Sequence, residues 1–249
     1  MLILFKVPYL ILFDIDGTIL RYKEPLSQSL VNYVTNNLFH KSINKSYHPD
    51  FSGKTDLMII HEICDAIECD FNEVLKNLNS IWSNLLEFFK KNTNKYNIIV
   101  FPGIYNLLLT IKNDSNYQLG LVTGNFKDNA YLKLSAVDLA HYFPFGAFGS
   151  DYEDRNLLPK LAIQRANKYL GKKMFSIDNT IIIGDSLRDI ECAKNNKIKV
   201  VSVATGPISF ELLKTYEPDL IFRDFKNFKL VFKKIKNLFE KNEKNNYSN

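Results

Sequence analysis

Along the chain the spacing of apolar positions changes twice. YLILF at residues 9–13 is an unbroken apolar run, the pattern of a strand buried on both faces. Between residues 25 and 95 apolar residues recur every three or four positions instead. That spacing predicts helices over 26–39, over 55–68 and from 70 through Trp82 to 91, with Thr55 and Asp70 as N-caps and no convincing strand. From Ile98 onward the two patterns alternate. Helices near 103–112, 127–138, 158–170 and 187–195 separate the short runs YQLGLVTGN, AFGSDYEDRN, TIIIGDS and IKVVSVATG. Short β-branched runs alternating with helices predict an α/β fold: a Rossmann-like parallel sheet core with helices on both faces, and a small all-helical domain inserted after the first strand. Residues 1–20 and 101–249 are assigned to the core and 21–100 to the insert. The junctions fall near Arg21 to Pro25 and at Phe101-Pro102-Gly103.

Composition narrows the class. Of 249 residues, 46% are hydrophobic and 24% charged, which excludes disordered, fibrous and disulfide-scaffold proteins. The net charge of +5 owes much to residues 226–244, KNFKLVFKKIKNLFEKNEK, where helical spacing predicts the solvated face of a final amphipathic helix, not a nucleic-acid or membrane surface. The last residues, NNYSN, are expected to fray. Cys64, Cys69 and Cys192 show no zinc-like spacing and leave an odd count, which points to a reducing compartment and to packing roles. His40, His48, His61 and His141 likewise lack metal-site spacing; on amphipathic helices His61 fits a partly buried helper and Trp82 a core residue, and neither is given a functional role. The N-terminal MLILFKVPYLILF is interrupted by Lys6 and Pro8, and without a basic leader or cleavage site it reads as neither signal peptide nor membrane span. A cytoplasmic protein is expected.

The chemistry gathers just past the strands. Asp14 and Asp16 follow the first, Thr123-Gly124-Asn125 follow QLGLV, and Asp185, Ser186 and Asp189 follow TIIIG. In a parallel α/β sheet the ligand crevice lies outside the carboxyl ends of the strands, so these segments should converge. Each acid alone would pass for a turn or helix-capping residue. Together they place several carboxylates in one crevice, where protons or a cation must offset the repulsion. Oxygen ligands without His or Cys select a hard cation, best Mg²⁺, beside which a carboxylate can attack phosphorus.

DIDGT, LVTGN and IIIGDSLRDIECAKN resemble the first, second and fourth motifs of the haloacid dehalogenase superfamily, in the phosphoglycolate-phosphatase-like branch with a helical cap. The resemblance implies that Asp14 attacks the phosphoryl group, while Asp16 protonates the leaving oxygen and later takes a proton from water. It also implies a Mg²⁺ site from the Asp14 carboxylate, the Asp16 carbonyl and Asp185, with Asp189 supporting it from outside or in direct contact. The presence of Asp16 points to phosphoryl transfer, since the dehalogenases proper lack this second acid. Gly17 lets the chain turn and Thr18 steadies the loop. Thr123, Gly124 and Asn125 would bind a phosphate oxygen. The third motif departs from the family, having no Lys-Pro pair: Arg155 stands where the family's lysine usually stands, and Lys160, inside the next helix, is the alternative. In the insert, SGKTD at 52–56 offers Lys54 or Thr55 to a substrate anion, or is a Gly turn followed by a Thr cap.

The expected function is therefore a Mg²⁺-dependent phosphatase acting on a small soluble phosphomonoester through a phospho-Asp14 intermediate. The protein should be a monomer, with a dimer as the alternative, and should have no nucleic-acid or membrane partner. The alternatives are a phosphomutase acting on a sugar phosphate, a phosphonate hydrolase using Lys23 or Lys54, and a noncatalytic ligand-binding member of the fold.

Overall fold

The apolar run read as the first strand is β1, Tyr9–Phe13, and every residue of it is buried. The computed structural model describes residues 8–44, 47 and 50–246. The N-terminal run up to residue 7, His48 and the last three residues of the expected frayed end lie outside them. After β1 come β2 (Leu20–Tyr22), α1 (Ser27–Tyr33), α2 (Asp56–Ala66), α3 (Phe71–Lys76), α4 (Leu78–Asn92) and β3 (Ile98–Val100). The chain continues through α5 (Ile104–Lys112), β4 (Tyr117–Thr123), α6 (Lys127–Ala136), β5 (Gly146–Phe148), α7 (Leu158–Leu170) and β6 (Thr180–Gly184). It ends with α8 (Leu187–Asn195), β7 (Lys199–Val203), α9 (Phe210–Thr215), β8 (Leu220–Phe222) and α10 (Phe228–Asn246).

Six strands form one parallel sheet in the order β5-β4-β1-β6-β7-β8, with Ile11 of β1 opposite Leu119 of β4 and Ile181 of β6. Successive side chains along a strand point to opposite faces, and that alternation divides the core in two. Tyr9, Ile11 and Phe13 pack with Ile104 and Leu108 of α5 and Ile235 and Phe239 of α10. Leu10 and Leu12 pack with Ala162 and Ala166 of α7 and Ile190 of α8. Strands covered on both faces must be apolar throughout, which is why β1 and β6 read as unbroken hydrophobic runs.

A third apolar cluster belongs to the inserted helices and includes Val31, Ile60, Ile63, Cys64 and Leu85. Phe126, from the turn before α6, completes it. The helix expected over 26–39 is shorter: α1 passes into a π-helical turn at Val34–Leu38, where Phe39 N–H donates to Val34 O at 3.1 Å. The helix expected over 70–91 breaks at Asn77, whose side chain donates to Glu73 O at 3.1 Å and competes with the backbone for the last carbonyls of α3.

Two short strands were not legible. β2 pairs antiparallel with β3, Leu20 opposite Val100, and sets the two ends of the insert side by side. Three-residue strands carry too few positions to show a period. The same limit hid α9 and β8. α10 forms as the tail spacing predicts, burying Val231, Phe232, Ile235, Leu238 and Phe239 on one face. Among the described residues, no helix is long and apolar enough to cross a membrane.

Candidate active site

The carboxyl ends of β1, β4 and β6 open into a cavity of about 720 Å³. Asp14 extends the ladder past β1, donating its N–H to Ile183 O at 2.9 Å, and is 5% exposed. Gly17, at φ 84°, turns the chain back so that its N–H reaches Leu20 O at 2.9 Å. Thr18 then donates its hydroxyl to Asp185 Oδ1 at 2.9 Å, tying the loop after β1 to the loop after β6.

Asp189 lies in the first turn of α8, where it forms a capping box with Ser186: its Oδ2 accepts from Ser186 N at 3.0 Å and Oγ at 2.6 Å. Its Oδ1 accepts from Arg155 Nη2 at 2.5 Å. The same nitrogen lies 3.2 Å from Asp14 Oδ1, and Arg155 Nη1 donates to Gly53 O at 3.2 Å. Of the two cations considered for the third motif, Arg155 is thus the one that reaches the acids. It sits in a 3₁₀ turn, Arg155–Leu157, just before α7, whereas Lys160 is exposed on α7.

One carboxylate oxygen from each of Asp14, Asp185 and Asp189 lies within 4.8 Å of the other two. Burial raises Asp14 to about 7 against the pull of Arg155, with Asp189 and Asp16 adding to the rise. Burial also pushes Asp185 well up, reinforced by Asp14 and Asp189. Among the described residues no Lys or Arg pairs with Asp185, and neither Asp14 Oδ2 nor Asp185 Oδ2 accepts a hydrogen bond. A Cβ on Gly17 or Gly206 would overlap the Asp185 carboxylate, so the backbone forms a close cradle around it. Acceptor-only oxygens of this charge, packed this tightly, fit a hard divalent cation. Asp189 is the poorest donor of the three, since both its oxygens already accept protein hydrogen bonds.

Residues 11–203 match the haloacid dehalogenase-like hydrolase family. The chain belongs to that family. It is 24% identical over 220 residues to a pyrophosphatase PpaX of Halalkalibacterium halodurans, covering 86% of this chain and 91% of that one. It is 23% identical over 216 residues to a phosphoglycolate phosphatase of Vibrio cholerae, covering 86% and 92%. Among solved structures, a β-phosphoglucomutase from Clostridium difficile superposes with a TM-score of 0.65 at 19% identity, covering 94% of this chain and 98% of that one.

In this haloacid dehalogenase-like hydrolase the remaining expected residues fall as follows. Thr123 Oγ1 accepts from Asn125 N at 3.3 Å and Nδ2 at 2.9 Å, and Thr123, Gly124 and Asn125 line the cavity with Asp16. Lys54 lines it too, paired with Glu62 at 2.6 Å. Thr55 does not, which corrects the expectation of a substrate contact there. It is fully buried; its hydroxyl accepts from Met58 N at 3.1 Å, capping α2, and donates to Glu153 O at 2.7 Å. His61 Nδ1 meets Glu153 Oε1 at 2.7 Å, and its ring stacks on Phe71. Burial raises the Cys64 and Cys192 thiols to about 12, so neither is a nucleophile near neutrality.

Three site residues were missed. Lys133 Nζ lies 2.7 and 2.9 Å from the two Asp16 oxygens and 2.7 Å from Asn125 Oδ1. Asn129 donates to Asn125 Oδ1 at 3.1 Å. Residues 125, 129 and 133 are spaced four apart, so a polar stripe entering α6 was readable in the sequence. Asp56, at the start of α2, accepts from Phe126 N at 2.8 Å and donates its own N–H to Gly124 O at 2.7 Å.

Proposed function

We propose that the protein is a Mg²⁺-dependent phosphatase that hydrolyses a small phosphomonoester through a phospho-Asp14 intermediate. The observation that carries this reading is the sharing of one cavity by Asp14, held at 3.2 Å by Arg155, and Asp16 two residues on. A volume of about 720 Å³ suits a small-molecule ligand. In this reading residues 21–100 are the cap and residues 1–20 and 101–249 the catalytic core. Leu30, Ile59 and Phe89 from the inserted helices also line the cavity.

The steps balance with residues of this chain alone. Asp14 attacks phosphorus as the ester P–O bond breaks, and Asp16 gives its proton to the leaving oxygen. Water then gives a proton to Asp16 and attacks the phospho-aspartate, releasing phosphate and restoring the Asp14 carboxylate. Arg155 offsets charge on the attacking side, and Thr123, Gly124 and Asn125 hold a phosphoryl oxygen. Asp14, Asp185 and the Asp16 carbonyl would hold Mg²⁺, which supplies charge neutralisation at the phosphoryl group when bound. Asp189 supports the site by fixing Arg155.

The test is a panel of phosphomonoesters assayed with Mg²⁺ and with EDTA. Turnover of at least one ester should depend on Mg²⁺ and fall to below about a thousandth in Asp14→Asn. Full activity in that variant, or no turnover across the panel, rejects the reading. Product analysis with a sugar phosphate separates hydrolysis from mutase transfer.

A further inference from the structure

Two buried cations, Arg155 and Lys133, serve different acids at the cavity. Arg155 serves Asp14 and Asp189, on the side where phosphorus is attacked. Lys133 serves Asp16, whose side chain is 42% exposed and precedes the left-handed Gly17. Asp16 is held from α6 by three contacts: Lys133 on both oxygens, at 2.9 and 2.7 Å, and Asn125 Nδ2 on Oδ2 at 2.7 Å. Charge orients the amide, since its NH₂ must face the carboxylate and its oxygen the ammonium.

Lys133 is itself 5% exposed, beneath the rings of Tyr22 at 5.3 Å and Phe89 at 5.8 Å. A buried ammonium is tolerated only with a partner, and Asp16 and Asn125 Oδ1 are its partners. Tyr22 stands in β2 and Phe89 in α4, so both rings over the Lys133 ammonium come from the insert.

Resting on the phosphatase reading, we propose that Lys133 is the positioning residue for Asp16. By holding Asp16 Oδ2 together with Asn125, Lys133 fixes the side chain on the cavity wall and leaves Oδ1, the more weakly held oxygen, to carry the proton that an ester's leaving oxygen needs. An alkyl phosphate needs that proton, because an alkoxide is a poor leaving group. p-Nitrophenyl phosphate does not, because its phenolate departs unprotonated. A purely structural role for Lys133 would weaken both substrates alike.

The experiment measures kcat/KM with Mg²⁺ on an alkyl phosphate and on p-nitrophenyl phosphate for wild type, Lys133→Met, Lys133→Arg, Asp16→Asn and the Asp16→Asn/Lys133→Met double variant. Lys133→Met should lose about a hundredfold on the alkyl ester and at least about tenfold less on the aryl ester. Lys133→Arg, which keeps the charge, should recover part of the difference. On the Asp16→Asn background, removing Lys133 should cost less than about threefold on the alkyl ester, because both act through one group. Where the methionine variant fails to fold, Lys133→Gln, which keeps a donor in the buried position, takes its place. Equal losses on both esters, or additive losses in the double variant, overturn the assignment while wild-type turnover leaves the phosphatase reading standing. Wild-type protein inactive on every ester overturns that reading and this assignment with it.

Discussion

At the scale of single residues, the cavity is a place where burial and charge compete, and Asp56 shows the balance away from the nucleophile. Burial raises its carboxyl to about 6, against the Phe126 N–H and the nearby Lys133. Its folded value therefore lies above its ordinary one, and between roughly pH 4 and 6 the folded protein holds this proton more tightly than the unfolded chain. Stability linked to Asp56 is highest below that window, falls as pH rises through it and stays low above. Asp56→Asn keeps an oxygen for Phe126 N–H and removes the charge. The variant should be more stable than wild type at pH 8 by on the order of 2 kcal/mol, with the gap closing near pH 4. Thermal melts in EDTA at both pH values check this, and a variant no more stable at pH 8 refutes it. Asp14, raised to about 7, titrates in the same direction, so the comparison is made with Asp14 present in both proteins.

At the scale of elements, the turn from β4 to α6 links the sheet to the inserted helices. It carries Thr123, Gly124 and Asn125 into the cavity and then sends Phe126 into the helical cluster, 2% exposed. There the ring stacks on Trp82 at 5.0 Å and lies 6.0 Å from Phe89. A Cβ on Gly124 would strike the Lys54 carbonyl, so the 52–56 segment rests directly on the same turn. Phe126→Ala should destabilise the protein by about 3–5 kcal/mol, measured by urea unfolding. A cost under about 1 kcal/mol would show that the ring does not join the two clusters. Helical spacing placed Trp82 on an apolar face, and it packs against the helical cluster partly buried. Phe126 was not readable as core, because it stands alone between Asn125 and Lys127 and its partners are distant in sequence.

At the scale of the molecule, folding forces carboxylates from separate strands into one buried cluster with too few cations. A divalent ion that binds this cluster only when it is folded must stabilise the fold. With Mg²⁺ at about 100 times its dissociation constant, stability should rise by about 2.7 kcal/mol over EDTA. Asp185 is held well above its ordinary range by burial and by Asp14 and Asp189. Asp185→Asn should therefore be more stable than wild type in EDTA at pH 8, and should lose most of the gain from Mg²⁺. Melts with and without the ion measure both effects, and an unchanged Mg²⁺ gain in the variant would exclude Asp185 as a ligand.

Much of this architecture was determined by the sequence alone. Local spacing separated the doubly covered strands from the helices, and chain order put Asp14, Asp16, Thr123, Asp185 and Asp189 just past strand ends, where a parallel sheet brings them together. Those inferences rest on periods and positions that lie within a few residues. Only the tertiary structure decided which cation meets Asp14, since Arg155 and Lys160 are about one turn of chain apart, Arg155 buried against the acids and Lys160 exposed on α7. It alone also decided that Thr55 caps a helix, that Asp189 is committed to Arg155 and Ser186, and that Lys133, 117 positions from Asp16, closes on its carboxylate. Contacts of that reach depend on how packed elements aim their side chains, and that direction leaves no periodic trace in the chain.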